Sequence, residues 1–232
     1  MNTRITYADG LVINGEYSGN SHQDLIILCH GYKSSGFTPV MKKLSAGLNE
    51  RGYATFAFDF PPDAEVDIQR QVAVLNQIVK HFPKQQAKIL MGASLGVIAA
   101  TIAAIEDPAV TALITVNGFF GERGIGPEFR RNFRKFRLLS FLIPKIHKIW
   151  KYFKAHLAAE RLKLPVLVIH SKTDTVVPIL QSENFYAKIK APKKLVKLDN
   201  VAHGLKGEND VVVVISAVEV WLKSVEGRPL DK

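Results

Sequence analysis

The segment Gly92-Ala93-Ser94-Leu95-Gly96 places a hydroxyl between two glycines, where one apolar run, Ala87–Gly92, gives way to another, Ser94–Ile105. A serine in this G-x-S-x-G spacing, on a sharp strand-to-helix turn, is lifted clear of the sheet. The glycines tolerate the crowded backbone that such a turn demands. The helix behind the serine begins with amides that have no intrahelical partner and with a partial positive charge. That arrangement suits attack on a carbonyl carbon, with the Leu95 amide donating to the oxygen that becomes negative. A tight turn without chemistry has the same composition, so Ser94 is a nucleophile only if partners converge on it.

A serine hydroxyl is a poor nucleophile at neutral pH and needs a base, which in turn needs an orienting acid. In a parallel α/β sheet, ligands bind beyond the carboxyl ends of the strands. Asp174 follows the run Pro165–His170 within HSKTDTVVP, and His203 follows Lys193–Asp199 within LDNVAHG. The order Ser94, Asp174, His203 is the nucleophile–acid–base order of this kind of site. Each residue has a plainer alternative. Asp174 stands where a helix-capping aspartate would. Asp199, four residues before His203, is a competing carboxylate, and His30 and His170 also lie near strand ends. Cys29 adjoins His30, but neighbours on a strand point to opposite faces, which excludes a Cys–His nucleophile pair.

The elements that must position these residues are legible as alternating patterns. Leu25–His30, Ala54–Phe60, Ala87–Gly92, Thr111–Gly118, Pro165–His170 and Lys193–Asp199 read as strands. Most are continuously apolar rather than alternating, as expected of strands covered on both faces. Between them, Thr38 caps a helix that opens at Pro39 and ends by Gly52. Val66, Val72, Leu75, Ile78, Val79 and Phe82 mark a second helix, Ser94–Ile105 a buried third, and Ile179–Lys190 and Asn209–Val225 two more. An N-terminal hairpin is expected with Asp9-Gly10 at its turn. The fold class is therefore α/β, a mainly parallel central sheet with helices on both faces, in one domain spanning 1–232.

A chain of 232 residues buries roughly 70% of its unfolded surface and needs no cross-link to stay folded. Its single cysteine, the absence of an N-terminal apolar segment, and the lack of any run near the roughly 20 apolar residues of a membrane span lead to the expectation of a cytoplasmic protein. No paired-cysteine, HExxH, Walker or G-x-G-x-x-G pattern appears, so neither metal nor cofactor is expected.

Four motifs, LCHGYKSSG, MGASLGV, HSKTDTVVP and VAHG, span Leu28 to Gly204. Through them the chain resembles the α/β-hydrolases, and within them the serine aminopeptidase and monoacylglycerol-lipase branch with its small bacterial esterases. The resemblance implies Ser94 as nucleophile, Asp174 as acid and His203 as base. It also implies the Tyr32 amide, beside that of Leu95, as the second oxyanion donor, with His30 structural. Two departures blur the subfamily. PPDAEVD stands where many relatives carry a glycine-rich G-x-G-x-S turn, and Ala93 stands where histidine is frequent.

In this fold a cap commonly follows the sixth strand, and residues 119–163 occupy that slot. Phe129, Phe133 and Phe136, then Ile146, Ile149, Trp150, Phe153 and Leu157, have helical spacing on either side of Pro144. Twelve Lys/Arg against three Glu between Glu122 and Lys163 account for nine of the ten net positive charges of the chain. The segment reads as a helical lid with solvated cations, or as a basic surface for an anionic membrane or an acidic acyl carrier. No nucleic-acid motif accompanies the charge. Phe119, Phe120, Phe133 and Trp150 are the candidate substrate contacts. The expected activity is hydrolysis of a carboxylic ester, acyl or aromatic, through an acyl-serine. The alternatives are a thioesterase or lysophospholipase acting on an anionic acyl substrate, an aminopeptidase-like hydrolase, and a non-catalytic membrane- or anion-binding module.

Overall fold

The apolar runs form strands close to where their composition puts them. The computed structural model describes residues 2–6, 10, 12–65, 67–120 and 158–225. Eight strands appear among these: β1 Asn2–Thr6, β2 Val12–Ser18, β3 Leu25–Cys29, β4 Ala54–Phe58, β5 Lys88–Ala93, β6 Ala112–Val116, β7 Val166–Ser171 and β8 Lys193–Leu198. They form one sheet in the order β1-β2-β4-β3-β5-β6-β7-β8. β1 pairs antiparallel with β2, Thr6 opposite Val12, and β2 antiparallel with β4. All pairings from β4 through β8 are parallel. The N-terminal hairpin therefore forms, with Gly10 at φ +80°, while Asp9 lies outside the described residues.

Among the described residues, five helices of two turns or more flank the sheet: α1 Pro39–Asn49, α2 Ile68–His81, α3 Gly96–Glu106, α4 Leu180–Lys188 and α5 Asp210–Val225. The hydroxyl of Thr38 accepts from the Met41 amide at 3.3 Å and starts α1, with Pro39 at its first position. Asp67 caps α2 through the Arg70 amide. The valine run of α5 is helical, because Val211, Val214, Ile215, Val218, Trp221 and Leu222 make one buried stripe at a spacing only a helix provides.

Strand parity divides the core into two layers. Leu25, Ile27, Leu90, Leu113 and Val168 pack with α2, α3 and α4 on one face. Ile26, Leu28, Met91, Ile114, Val116 and Ile169 pack with α1 and α5 on the other. Every residue of β3, β4, β6 and β7 is buried, which is why those strands read as unbroken apolar runs. β8 is one edge of the sheet, and Lys194 and Lys197 stand exposed on it, charges that discourage another strand from pairing there. From β3 the chain crosses to β4 on one side and then to β5 on the other, so the carboxyl ends of β3 and β5 border the switch in strand order where such sheets bind ligands.

Of the expected cap, Phe119, Phe120 and residues 158–163 are described. A short 3₁₀ turn, Ala159–Arg161, buries Ala159 and Leu162 before β7. The two helices expected around Phe129–Phe136 and Ile146–Leu157, the candidate contacts Phe133 and Trp150, and all but Glu160, Arg161 and Lys163 of the charged cluster lie outside the described residues. Among the described residues no helix is long and apolar enough to cross a membrane.

Candidate active site

Ser94 sits between the end of β5 and the start of α3 with φ +51°. A left-handed backbone at a residue other than glycine costs about 1–3 kcal/mol and persists only where the surroundings enforce it. Here the Ser94 amide donates to the Val116 carbonyl at 3.0 Å, and the Phe119 amide donates to the Ser94 carbonyl at 3.1 Å. The end of β6 and the chain after it thus clamp the turn from both sides. The flanking glycines are set by close approach. A Cβ on Gly92 would lie 2.7 Å from Val97 Cα, and one on Gly96 would lie 2.4 Å from the His30 carbonyl oxygen. The G-x-S-x-G spacing is therefore what lets α3 start directly against β3.

Three side chains meet at this turn. His203 Nδ1 lies 2.6 Å from Asp174 Oδ2, and His203 Nε2 lies 3.0 Å from Ser94 Oγ. A carboxylate only accepts, so Nδ1 carries the proton and donates it to Asp174. In the neutral ring, Nε2 then accepts from the Ser94 hydroxyl. The loops after β5, β7 and β8 thus bring together residues separated by 109 and 29 positions in sequence.

Asp174 divides its two oxygens between structure and site. Oδ1 accepts from the amides of Val176 and Val177 at 2.8 and 2.9 Å, the capping role its sequence position suggested. Oδ2 faces His203, and His170 Nε2 approaches it to 3.5 Å. Burial alone would raise this carboxyl's pKa. The hydrogen bonds from His170 and His203, the His203 charge and the Val177 amide outweigh it and hold the pKa well below the usual carboxylate range. The competing carboxylate, Asp199, is exposed and pairs with Lys172 at 2.9 Å.

The remaining histidines near strand ends brace the backbone, and His170 also reaches the Asp174 carboxylate. His30 donates from Nδ1 to the Gly31 carbonyl and accepts the Phe60 amide on Nε2, tying the end of β3 to the chain beyond β4. His170 donates to the Val177 carbonyl at 2.8 Å, and its Nδ1 lies 2.6 Å from the Ser182 hydroxyl, which fixes the Asp174 loop against α4. Burial pushes the Cys29 thiol far above its ordinary pKa, which disfavours the thiolate.

Tyr32 follows Gly31 in the loop after β3 and, with Ser94 and His203, borders a cavity of about 600 Å³. A Cβ on Gly31 would lie 3.0 Å from that of Ser94, so this loop closes directly over the serine. Leu95 is the residue from which α3 starts, and its amide makes no hydrogen bond among the described residues. Phe119 and Phe120 are 4% and 1% exposed, and neither borders that cavity. Phe120 stacks on Phe185 with ring centres 4.0 Å apart, and its amide is held by the Gln181 side chain.

Two buried polar residues that the sequence did not single out hold the His203 loop. Asn117, immediately after β6 and at φ +46°, accepts the Ser171 amide on Oδ1 at 2.9 Å. Its Nδ2 donates to the His203 carbonyl at 3.1 Å and reaches that of Ala202 at 3.5 Å. Asp210, at the head of α5, accepts the amides of Ala202 and Gly207. An Asn-Gly pair at a strand end was the available signal for Asn117. Its partners, 54 to 86 residues downstream, gave none. Among the described residues no cluster of three His, Cys, Asp or Glu is arranged to hold a metal ion.

A model of the alpha/beta hydrolase family matches residues 26–182. A comparison with curated protein sequences gives no match. Among solved structures, the monoacylglycerol lipase of Paleococcus ferrophilus superposes with a TM-score of 0.74 at 17% identity, over 91% of this chain and 98% of that one. Est1E from Butyrivibrio proteoclasticus gives 0.75 at 17% identity, over 98% and 99% of the two chains. The esterase Pf2001 of Pyrococcus furiosus gives 0.76 at 21% identity, over 98% and 91%.

Proposed function

The chain belongs to the alpha/beta hydrolase family, and from that premise we propose that it hydrolyses a carboxylic ester through an acyl intermediate on Ser94. The observation that carries this reading is the hydrogen-bonded series Ser94 Oγ–His203–Asp174 on a left-handed strand-to-helix turn. A positive φ at a serine has no packing benefit of its own, and here it aims the hydroxyl at an imidazole already oriented by a buried carboxylate.

In the proposed reaction Ser94 Oγ attacks the ester carbonyl carbon as its proton passes to His203 Nε2. The carbonyl oxygen becomes an oxyanion held by the Tyr32 and Leu95 amides, each such donor being worth about 10²–10³ in rate. His203 then returns the proton to the leaving oxygen as the carbon–oxygen bond breaks. Water, activated by the same nitrogen, releases the acid and restores Ser94. Asp174 remains ionised throughout. Its low pKa reflects the environment that favours a positive imidazole beside it, so Asp174 stabilises the imidazolium without taking its proton.

Hydrolysis of short p-nitrophenyl esters tests the reading. Ser94→Ala is expected to reduce kcat by about 10⁴–10⁶ while leaving the fold intact. A folded Ser94→Ala protein with unchanged ester hydrolysis overturns the assignment of the nucleophile, whereas wild-type protein that hydrolyses none of these esters leaves a binding module on a hydrolase scaffold.

A further inference from the structure

The cavity beside Ser94 has a composition that discriminates among esters. Strand parity sends Ala93, at the end of β5, and Val116, at the end of β6, to the α1/α5 face of the sheet, where they meet Met41 and Leu44 of α1, Leu205 and Val211. These six residues give the cavity an apolar floor. The charged residues around it, Lys43, Lys206 and Glu208, are exposed and stand at the rim. Thr38, the polar residue nearest the start of α1, accepts the Met41 amide on its hydroxyl oxygen, which leaves one O–H to donate. A polar tail laid against these six apolar side chains would lose its water and gain no hydrogen bond from them, whereas an alkyl or aryl group gains by burial. The volume of about 600 Å³ lies in the range of cavities that hold small-molecule ligands.

One wall of the cavity is the run from His203 to Glu208, directly following the proposed base. The oxygen that accepts the His203 proton is the leaving oxygen, and it must lie against this wall. We propose that the cavity between α1 and α5 receives the alcohol half of the ester, and that this alcohol is an apolar alkyl or aryl one rather than a phosphate-bearing or nucleotide-bearing group. The inference rests on the ester-hydrolase reading and extends it to the leaving group.

Two substrate series test it: alkyl acetates from methyl to hexyl, and methyl esters of the matching acids. In the alkyl acetate series kcat/KM rises about fourfold with each of the first few methylenes, the value of burying one CH₂. Val211→Phe, which narrows the floor, lowers the butyl-to-methyl acetate ratio about tenfold, and Val211→Ala moves the preferred alcohol to a longer chain. The methyl-ester series keeps its chain-length profile in both variants. Alcohol-length profiles that are flat, or unchanged in both variants, overturn the proposal, as does a shift confined to the acyl series. If methyl acetate is not hydrolysed by the wild-type protein and a small fluorophosphonate leaves Ser94 unmodified, the hydrolase reading itself falls, and the assignment of the cavity falls with it. Turnover without the alcohol-length effect removes only the assignment of the cavity.

Discussion

Replacing Asn117 tests whether His203, the proposed base, is held in place by a residue that touches no reacting atom. Asn117 is buried, and it joins the Ser171 amide at the end of β7 to the backbone carbonyl of His203. Asn117→Ala leaves the buried Ser171 amide without its acceptor, a loss worth about 1–3 kcal/mol. At this chain length about 2 kcal/mol corresponds to a fall in Tm of about 4–8 °C. Asn117→Asp keeps an acceptor for Ser171 but turns an oxygen toward the His203 carbonyl in place of a donor. It should cost similar stability and displace the loop more. A misplacement near 1 Å of a catalytic group costs about 10² in rate, so kcat should fall about 10- to 100-fold in both variants, with a smaller effect on KM. Steady-state hydrolysis of p-nitrophenyl acetate, measured at a temperature well below each Tm, separates the two effects. A variant that loses the Tm but retains kcat within threefold of wild type refutes the positioning role and leaves Asn117 a purely structural residue.

Two further substitutions probe Asp174, the proposed acid, and the turn. Asp174→Asn should lower kcat by about 10⁴, since the neutral amide no longer stabilises the imidazolium or enforces the tautomer. It should also flatten acid unfolding. A carboxyl whose folded pKa lies below its unfolded value of about 3.9 contributes stability that is complete above that pH and is lost as pH falls through the folded value, so the wild type should lose more stability than the variant between about pH 5 and 2, followed by circular dichroism. Gly96→Ala places a Cβ 2.4 Å from the His30 carbonyl oxygen, where backbone must move. A loss of about 1–3 kcal/mol in urea unfolding is expected, together with reduced activity, because α3 is forced off β3 and takes Ser94 with it. Wild-type stability for Gly96→Ala would show that the close approach is not a constraint.

The strands and the three converging residues were legible because each is a local signal. A strand covered on both faces is an unbroken apolar run, and a residue that works at the carboxyl end of a strand lies just after such a run. That placed Ser94, Asp174 and His203 within a few residues of strand ends without any knowledge of register. The choice between Asp174 and Asp199 was less visible, since both follow strands. The structure separates them because Asp174 is buried under His203 and Asp199 faces outward to Lys172. The role of Asn117 was hidden for the opposite reason, since its partners are backbone groups 54 to 86 residues away that only the tertiary fold brings near, whereas Asp210 bonds amides only three and eight residues before it, at the head of a helix. Composition also fails for aromatic residues beside a site. Phe120 stands four residues beyond the β6 end that clamps Ser94, and its ring stacks on Phe185 in the layer under α4. Whether an aromatic side chain turns to a cavity or to the core depends on the direction the backbone takes after the strand, which hydropathy does not encode. The cavity between α1 and α5 is assembled from strand ends and helices far apart in the chain, and no single stretch announces it.

The account's central claim is that Ser94 is the nucleophile and His203 its base. Reaction of the folded wild-type protein with a fluorophosphonate, followed by peptide mass spectrometry, tests this most directly. The prediction is a single phosphonyl adduct on Ser94, absent in Ser94→Ala and formed orders of magnitude more slowly in His203→Ala. An adduct on another residue, or none in protein whose circular dichroism shows it folded, contradicts the claim.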